Sequence, residues 1–550
     1  MTPAAADVQA SFCWSLGQTW RLLGVDTVML APGSRSTPLA LALLQLGWRT
    51  EVFLDERSAA FAALGYGVAT GRPAVALCTS GTAAAHFHAA VVEADLSGVP
   101  MIVVTADRPP ELRDVGAPQT IDQTRLFGSV VRWFHDPGVA DWSTRGSWGS
   151  LAAHAVSSAK GLDPGPVHLN LPFREPLVGK PDVVADRHLA TDHGRPCLDD
   201  GQLADLDESL VGLGVVIAGR GCGAPREVSA LGARLGWPVF ADARSGVDGV
   251  RHFDSLLRSA FAADSAPSVA LRLGEPPASK VLSQWVTARC SEQIHVSARP
   301  GFFDPDHRVI RHVVADPDAL LPRLAVGRTV DDAWRSGWQR ADDLAAAAID
   351  ERLDGAFPSG PAVARTLAKT LGVDSRIVVS SSMPVRDLEW FGGSLSSAVI
   401  SNRGANGIDG VIATAIGAAV SDGRPTVALV GDVAFAHDVS SLVGLAARDV
   451  DVRVVVVDND GGGIFHYLPQ AAMLETATFE RLFGTPHGTD AAAVAAGFGL
   501  RARRVGTRDE FVDAVTAPGP SVTVVATDRR TDVELHTELH RIVAESMSGR

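Results

Sequence analysis

Three positions in the last third of the chain carry oxygen ligands at a spacing that suits a metal ion. Asp432 follows the apolar, β-branched run 426–430, and Asn459 follows a second such run at 452–457. Runs of this kind predict buried parallel strands, and the carboxyl ends of parallel strands meet at one ligand-binding edge of a sheet. A carboxylate, a side-chain amide and the backbone carbonyl of Gly461 form an all-oxygen set that suits a hard divalent cation.

The segment after Asp432 predicts a helix close to the same ion. From Asp438 to Arg448, apolar residues recur with helical spacing. An ion held by so few protein groups usually also binds phosphate oxygens, and the N-terminal amides of such a helix would face that phosphate. The alternative is an ordinary strand–Gly–Asp turn, which is common in α/β proteins.

The whole chain predicts an α/β protein of several domains. Its 550 residues exceed what one hydrophobic core usually holds. Strand-like and helix-like patterns alternate almost throughout, which predicts stacked α/β domains with parallel sheets. Weak periodicity between residues 179 and 203 indicates a linker, and a Pro-Ser-Gly-Pro turn at 358–361 leads into the last segment. We therefore expect three domains, at residues 1–185, 200–335 and 355–550.

Composition excludes several classes of function. Asp and Glu number 63 against 49 Lys and Arg, and no basic block stands out, so nucleic-acid binding is not expected. The five cysteines are scattered without metal-ligand spacing, as in reduced cytosolic proteins. No signal-peptide pattern is visible, and no apolar run reaches the ~20 residues that span a bilayer. We expect a cytoplasmic protein without membrane insertion.

A glycine-rich loop in the middle segment leaves an oxidoreductase as an alternative. The run Gly-Arg-Gly-Cys-Gly at 219–223 follows the strand pattern 214–218. It lacks the third-glycine spacing of the dinucleotide-binding motif. A tight strand-to-helix turn is therefore favoured over a bound nicotinamide cofactor.

The separation of Asp432 from Asn459 resembles the signature of thiamine diphosphate-dependent enzymes. That signature begins with Gly-Asp-Gly and ends with Asn-Asn. Here Val433 stands in place of its third residue and Asp458 in place of its first Asn, and neither position coordinates the metal. The resemblance implies that Asp432, Asn459 and the Gly461 carbonyl hold Mg²⁺ or Mn²⁺.

A thiamine cofactor also needs a carboxylate facing its pyrimidine ring, which helps remove the thiazolium C2 proton. Glu56 meets this requirement, because it follows the predicted strand 52–54 and opens the predicted helix 58–70. Taken alone, Asp55 and Glu56 would be a helix cap and a first-turn acid. The loop at Thr79 follows the next strand, and in thiamine enzymes of this architecture it packs near the cofactor.

Four arginines lie in predicted strand-end loops rather than on helix faces. Arginine forks suit carboxylates, so this set predicts a substrate with several carboxylates. Each one could instead form a structural ion pair. The four are Arg35, Arg108, Arg386 and Arg403.

These motifs together resemble the 2-succinyl-5-enolpyruvyl-6-hydroxy-3-cyclohexene-1-carboxylate (SEPHCHC) synthase family of thiamine-dependent enzymes. The matching blocks lie in both terminal segments, while the middle segment matches poorly. The blocks are 32–38, 55–57, 79–82, 106–109, 116–119, 165–168, 401–404, 407–410, 431–432 and 459–465.

The resemblance implies a role for each matching residue. Ile408 would support the bent cofactor, and further cofactor contacts would come from Ser382, Gly407, Ile464 and Phe465. The substrate set would comprise Arg35, Arg108, Gln119, Lys280, Arg386 and Arg403. Pro118 replaces an Asn that is common beside Gln119, and Lys280 stands where the family often has a Lys-Arg pair.

The resemblance further implies a reaction and an assembly. The enzyme would decarboxylate 2-oxoglutarate with thiamine diphosphate and add the succinyl carbanion to isochorismate in 1,4 fashion, during menaquinone biosynthesis. Its active sites would lie between the subunits of a homodimer or a dimer of dimers. Another thiamine-dependent 2-oxoacid decarboxylase, or an acetolactate synthase-like enzyme, is the main alternative; apolar substrates would not need the arginines.

Overall fold

The computed structural model describes residues 4–183, 191–328 and 331–548. In these ranges the strands form separate sheets in the first, middle and last parts of the chain, and the strand pairs are parallel. The predicted class of three stacked α/β domains is therefore confirmed. The domain limits at 185, 200, 335 and 355 stay a prediction, and residue 185 lies outside the described residues.

The N-terminal sheet has the strand order β2-β1-β3-β4-β6-β5. Its strands are β1 Thr27–Leu30, β2 Arg49–Val52, β3 Ala74–Cys78, β4 Met101–Asp107, β5 Trp133–His135 and β6 Pro166–Pro172. Its helices are α1 Ala5–Leu22, α2 Thr37–Gln45, α3 Glu56–Thr70, α4 Thr82–His86, α5 His88–Ser97 and α6 Trp148–Lys160. The strand predicted at 52–54 is wrong in its bounds, because β2 ends at Val52 and Asp55 already caps α3 by accepting from the Arg57 amide.

The middle sheet has the order β11-β10-β9-β7-β8. Its strands are β7 Gly214–Ala218, β8 Val239–Ala241, β9 Val269–Leu273, β10 Glu292–Ser297 and β11 Val309–Val314. Its helices are α7 Asp200–Ser209, α8 Pro225–Leu235, α9 Phe253–Leu256, α10 Ala260–Ala263, α11 Lys280–Arg289 and α12 Pro317–Leu320. The helix α13 Ala333–Leu353 then leads toward the third domain.

The C-terminal sheet has the order β13-β12-β14-β15-β17-β16. Its strands are β12 Arg376–Val379, β13 Ala398–Ile400, β14 Thr426–Gly431, β15 Val452–Asp458, β16 Arg501–Arg504 and β17 Ser521–Ala526. Its helices are α14 Gly360–Thr370, α15 Met383–Phe391, α16 Val411–Asp422, α17 Asp432–His437, α18 Gln470–Met473, α19 Thr476–Phe479, α20 Ala491–Gly497, α21 Arg508–Thr516 and α22 Arg529–Ser548.

One apolar core joins the first and third domains. The cluster includes residues of β3 and α3 together with residues of α16, β14 and β15. The helices α3 and α16 are both rich in alanine and glycine, so their backbones approach closely across this interface. In the described part of the chain, no helix is both long and apolar enough to cross a membrane.

The helix predicted from 438 to 448 is wrong. The helix begins at Asp432 and ends at His437, and two short 3₁₀ turns follow it. The reason is the Asp438 side chain, whose carboxylate accepts from the Ile412 and Ala413 amides at 2.7 and 3.0 Å and so caps α16. Burial raises the pKa of Asp438 to about 6.

Candidate functional site

The predicted metal ligands lie together at the carboxyl edge of the third sheet. β14 and β15 pair in register up to Gly431 opposite Val457, so Asp432 and Asn459 emerge side by side. The Gly461 amide donates to Asp432 Oδ2 at 2.7 Å. Asn459 Oδ1 is buried and accepts no hydrogen bond. A buried carboxylate beside an unpartnered carboxamide oxygen is a donor set that a hard cation would satisfy.

The surroundings of the Asp432 carboxylate disfavour its ionised form. Burial raises its pKa, and the nearby Asp458 carboxylate acts in the same direction. His487 approaches from outside, with Nε2 3.3 Å from Asp432 Oδ2. A cation at this position would stabilise the ionised form of Asp432.

Gly461 needs its glycine backbone. Its φ angle is +134°, a region that residues with a side chain rarely adopt. A Cβ atom here would also lie 1.9 Å from the Gly484 carbonyl oxygen. The sharp turn places the amide of Gly461 against Asp432, as the short spacing after Asn459 suggests.

A cavity of about 630 Å³ opens beside the predicted metal ligands. A cavity of this volume holds a cofactor-sized molecule with a small substrate. The lining includes these residues from the predicted set: Ser382, Arg386, Arg403, Ile408, Asp432, Asn459, Gly461, Ile464 and Phe465. Gly407 is not a lining residue but lies between Asn406 and Ile408, which are.

Two of the arginines that line the cavity carry an electrostatic cost. Burial lowers the pKa of Arg386 and of Arg403. For Arg403 the neighbouring Arg244 and Arg386 lower the pKa further. Arg386 donates to the Ser382 carbonyl, which fixes the start of α15. Half-buried cations close to one another favour an anion between them.

A second group of predicted residues lies at the carboxyl edge of the first sheet. The Arg35 amide donates to Thr79 Oγ1 at 3.3 Å, and Arg108 Nη1 donates to Ser80 Oγ. Gln119 Nε2 donates to the Ser80 carbonyl at 3.1 Å. We call these five residues the N-terminal edge cluster. The fold thus gathers three predicted substrate residues around the loop after β3.

Arg35 is held by local contacts. Its guanidinium donates to the Phe173 carbonyl at 3.0 Å and pairs with Glu175, whose side chain is 74% exposed. Arg35 Nε is buried without a partner. The Arg35 guanidinium therefore keeps one N–H donor, at Nε, without an acceptor.

Glu56 lies apart from the cavity of its own chain. All described residues that line the cavity belong to the third domain. The neighbours of Glu56 pack on that domain elsewhere: Asp55 Oδ2 accepts from Ser440 Oγ at 2.6 Å, and Arg57 donates to the His437 carbonyl. Burial is the main cause that raises the pKa of Cys78, and the charge of Glu56 raises it further. Glu56 therefore lies near the end of β3.

Lys280 is not part of either group. It is exposed at the first position of α11, after the cap residue Ser279. The middle domain instead places the buried Arg244 near Arg403. The charge of Arg244 lowers the pKa of Arg403.

Sequence reasoning missed a polar wall of the same cavity. His536 Nε2 lies 2.8 Å from Asp387 Oδ1, and both side chains are buried. Burial and the nearby Asp387 raise the pKa of Asp532 to about 6. Tyr467 completes this wall, with its ring 5.0 Å from that of His536. The one sequence signal is the spacing of Asp532 and His536, which places them on one face of a helix.

The glycine-rich loop of the middle domain has a structural explanation. A Cβ atom on Gly219 would lie 1.6 Å from the Glu275 carbonyl oxygen. The Glu275 amide donates to the Arg220 carbonyl at 2.9 Å, so two loops contact through their backbones. The tight-turn interpretation therefore accounts for these glycines.

Three sequence families match successive parts of the chain. The family described as thiamine pyrophosphate enzyme, N-terminal TPP binding domain, matches residues 18–126. The family described as middle domain of thiamine pyrophosphate matches residues 193–379. The family described as thiamine pyrophosphate enzyme, C-terminal TPP binding domain, matches residues 394–525, a range that includes the predicted metal ligands.

Relatives of similar length share one name, 2-succinyl-5-enolpyruvyl-6-hydroxy-3-cyclohexene-1-carboxylate synthase. Those from Chloroflexus aurantiacus and Rubrobacter xylanophilus are each 40% identical to this chain, covering 89% and 94% of it and 89% and 95% of their own lengths. The relative from Saccharopolyspora erythraea is 39% identical over 96% of this chain and 97% of its own length. The chain therefore belongs to the SEPHCHC synthase family of thiamine diphosphate-dependent enzymes.

Proposed function

We propose that this protein decarboxylates 2-oxoglutarate with thiamine diphosphate and adds the succinyl fragment to isochorismate. The addition is of the 1,4 type and gives SEPHCHC and CO₂ in menaquinone biosynthesis. The observation that carries the proposal is one cavity lined both by the oxygen-bearing side chains of Asp432 and Asn459 and by the arginines Arg386 and Arg403. The family membership of the chain supports the same reaction.

Asp432, Asn459 and the Gly461 carbonyl would hold Mg²⁺ or Mn²⁺, which would bridge to the cofactor diphosphate. The unpartnered Asn459 Oδ1 beside the buried Asp432 supports this assignment. When bound, thiamine diphosphate supplies the electron sink for decarboxylation. Ser382, Gly407, Ile464 and Phe465 would line the cofactor, and Ile408 would support its bent shape.

Glu56 would share a proton with the pyrimidine ring nitrogen of the cofactor. Because Glu56 does not line the cavity of its own chain, the partner subunit would supply it. We therefore propose a homodimer, or a dimer of dimers, in which Glu56 of one chain faces Asp432 of another. Thr79, at the same sheet edge as Glu56, would approach the cofactor from the same side.

Substrate carboxylates would lie between two groups of cations. Arg386 and Arg403 line the cavity and would hold one substrate. Arg35, Arg108 and Gln119 in the N-terminal edge cluster would hold the other across the subunit interface. Lys280 is assigned to the substrate set on the family resemblance alone. We further propose that the enzyme works in the cytoplasm.

Product analysis tests the proposal. The protein is mixed with 2-oxoglutarate, isochorismate, thiamine diphosphate and Mg²⁺, and mass spectrometry should detect SEPHCHC. Pyruvate in place of 2-oxoglutarate is the control, because it lacks the second carboxylate that the arginines would bind. Acetolactate from pyruvate, without SEPHCHC from the full mixture, would favour the alternative thiamine enzyme.

A further inference from the structure

A turn of the middle domain lies directly behind the cavity arginines. It comprises Asp242 to Gly246, follows β8, and packs against β13, the strand that leads to Arg403. Ala243 of this turn belongs to the same apolar cluster as Val385 and Leu388 of α15. The cavity wall that carries Arg386 and Arg403 is therefore supported from another domain.

Arg244 in this turn is already satisfied. Its guanidinium donates to Asp242 Oδ2 at 2.7 and 3.0 Å, to Glu275 Oε2 at 2.9 Å and to the Pro276 carbonyl at 2.9 Å. Glu275 also pairs with Arg220. Asp242, Arg244 and Glu275 are thus engaged with one another, and of these three groups Asp242 also acts on Arg403 by raising its pKa.

Glu389 is a further buried acid close to these groups. It lies on α15 one helical turn after Arg386 and is only 5% exposed. Its Oε2 accepts from the Ala278 amide at 2.9 Å, while its Oε1 is buried without a hydrogen-bond partner. A buried carboxylate with one oxygen that accepts no hydrogen bond is either protonated or stabilised by nearby cations.

The charges around Glu389 oppose one another. Acidic groups act on Glu389 from the turn after β8 (Asp242) and from α9 (Asp254), while the nearby cations are Arg244, Arg386 and Arg403. Burial, with Asp242 as the next cause, raises the pKa of Glu389 to about 8. Because opposing charges surround this buried carboxylate, an added negative charge nearby would further disfavour its ionised form.

We propose that Glu389 is a positioning residue whose ionised form offsets the charge of Arg386 and Arg403 before substrate binds, and that this form takes up a proton when a dicarboxylate binds to them. The inference rests on the proposed binding of 2-oxoglutarate at these arginines. A carboxylate arriving at Arg386 and Arg403 replaces the negative charge of Glu389, so the ionised form of Glu389 loses its stabilisation. Ionised Glu389 competes with the substrate, whereas protonated Glu389 does not.

Binding of glutarate, a dicarboxylate that cannot be decarboxylated, tests the proposal on the holoenzyme. Titration calorimetry near pH 8 in two buffers of different ionisation enthalpy measures the protons taken up. The wild type should take up a measurable fraction of one proton, and Glu389→Gln should take up none. Glu111→Gln, a surface acid paired with Arg174, is the control and should match the wild type.

Steady-state kinetics gives a second readout. For the wild type, KM for 2-oxoglutarate should rise with pH, by at most about tenfold per pH unit above the pKa of Glu389, with little change in kcat. Glu389→Gln should keep the low KM across that range, and Glu389→Asp should retain the pH dependence.

Three outcomes would overturn the proposal: no proton uptake by the wild type, equal uptake by Glu389→Gln, or an unchanged pH profile in that variant. The first needs no variant and stands even if Glu389→Gln fails to fold. Failure of the proposed function is distinguishable, because it would appear as absence of SEPHCHC from the wild type. Glutarate binding and its linked proton are measured without turnover.

Discussion

Gly65 on α3 and Gly417 on α16 make reciprocal backbone contacts between the first and third domains. A Cβ atom on Gly65 would lie 2.0 Å from the Thr414 carbonyl oxygen, and one on Gly417 would lie 1.8 Å from the Ala62 carbonyl oxygen. The two helices therefore cross with no room for side chains between them. This contact sets how the two domains sit within one chain, and hence which cleft each leaves for a partner.

Gly65→Ala should destabilise the protein, because the added methyl meets backbone that cannot rotate away. Overpacking of this kind costs roughly 1–3 kcal/mol, and rigid backbone favours the upper end. Chemical denaturation measures the change. Gly337→Ala, in the second turn of α13 with open space around its Cβ, is the control and should gain up to about 1 kcal/mol from helix propensity. Equal stability of both variants would contradict the close crossing.

Asp432→Ala should abolish metal-dependent binding of thiamine diphosphate, because it removes the one carboxylate of the proposed cation site. Calorimetric titration of the cofactor with Mg²⁺ present measures the loss. Asp449→Ala changes an exposed acid in the same connection between β14 and β15, and should leave affinity unaltered. Unaltered affinity in Asp432→Ala itself would refute the metal assignment.

Mixed dimers test whether Glu56 acts across the subunit interface. Glu56→Gln should bind cofactor but slow the exchange of its C2 proton, and Asp432→Ala should be inactive. A heterodimer of these two variants contains one site with both changes and one intact site. Random pairing should then restore about one quarter of wild-type activity. The double variant paired with itself is the control; no recovery despite proven mixing would place both residues in one subunit's site.

Arg35→Ala should weaken the reaction with isochorismate. Loss of a charge-assisted hydrogen bond to a buried partner costs ~2–5 kcal/mol. At about 1.4 kcal/mol per tenfold, kcat/KM should fall roughly 30-fold or more. Decarboxylation of 2-oxoglutarate alone should survive, whereas Arg403→Ala should impair it. The exposed Arg481→Ala is the control. Equal loss of both half-reactions in Arg35→Ala would indicate a folding or cofactor role for Arg35.

The sequence predicted those features of the fold and the site that depend on strand ends. Asp432 and Asn459 follow apolar runs, and parallel strands bring their ends to one edge. The predicted metal donors, and likewise the residues of the N-terminal edge cluster, therefore lie close together in the structure, while their roles stay a prediction.

Features that depend on distant side chains were not predictable. Asp387 meets His536 only because α22 packs beside α15, and no local pattern encodes that contact. The helix expected at 438–448 failed because Asp438 caps α16 instead of continuing a helix. The edge strand β5 is too short to show an alternation of apolar residues.

The most direct test of the proposed reaction follows the carbon atoms of 2-oxoglutarate. The enzyme is given uniformly ¹³C-labelled 2-oxoglutarate, unlabelled isochorismate, thiamine diphosphate and Mg²⁺, and both products are analysed by mass spectrometry. The account predicts one labelled carbon in CO₂ and all the others in SEPHCHC, with much slower formation of SEPHCHC when Glu56 is replaced by Gln. Labelled CO₂ without a labelled isochorismate adduct would contradict it.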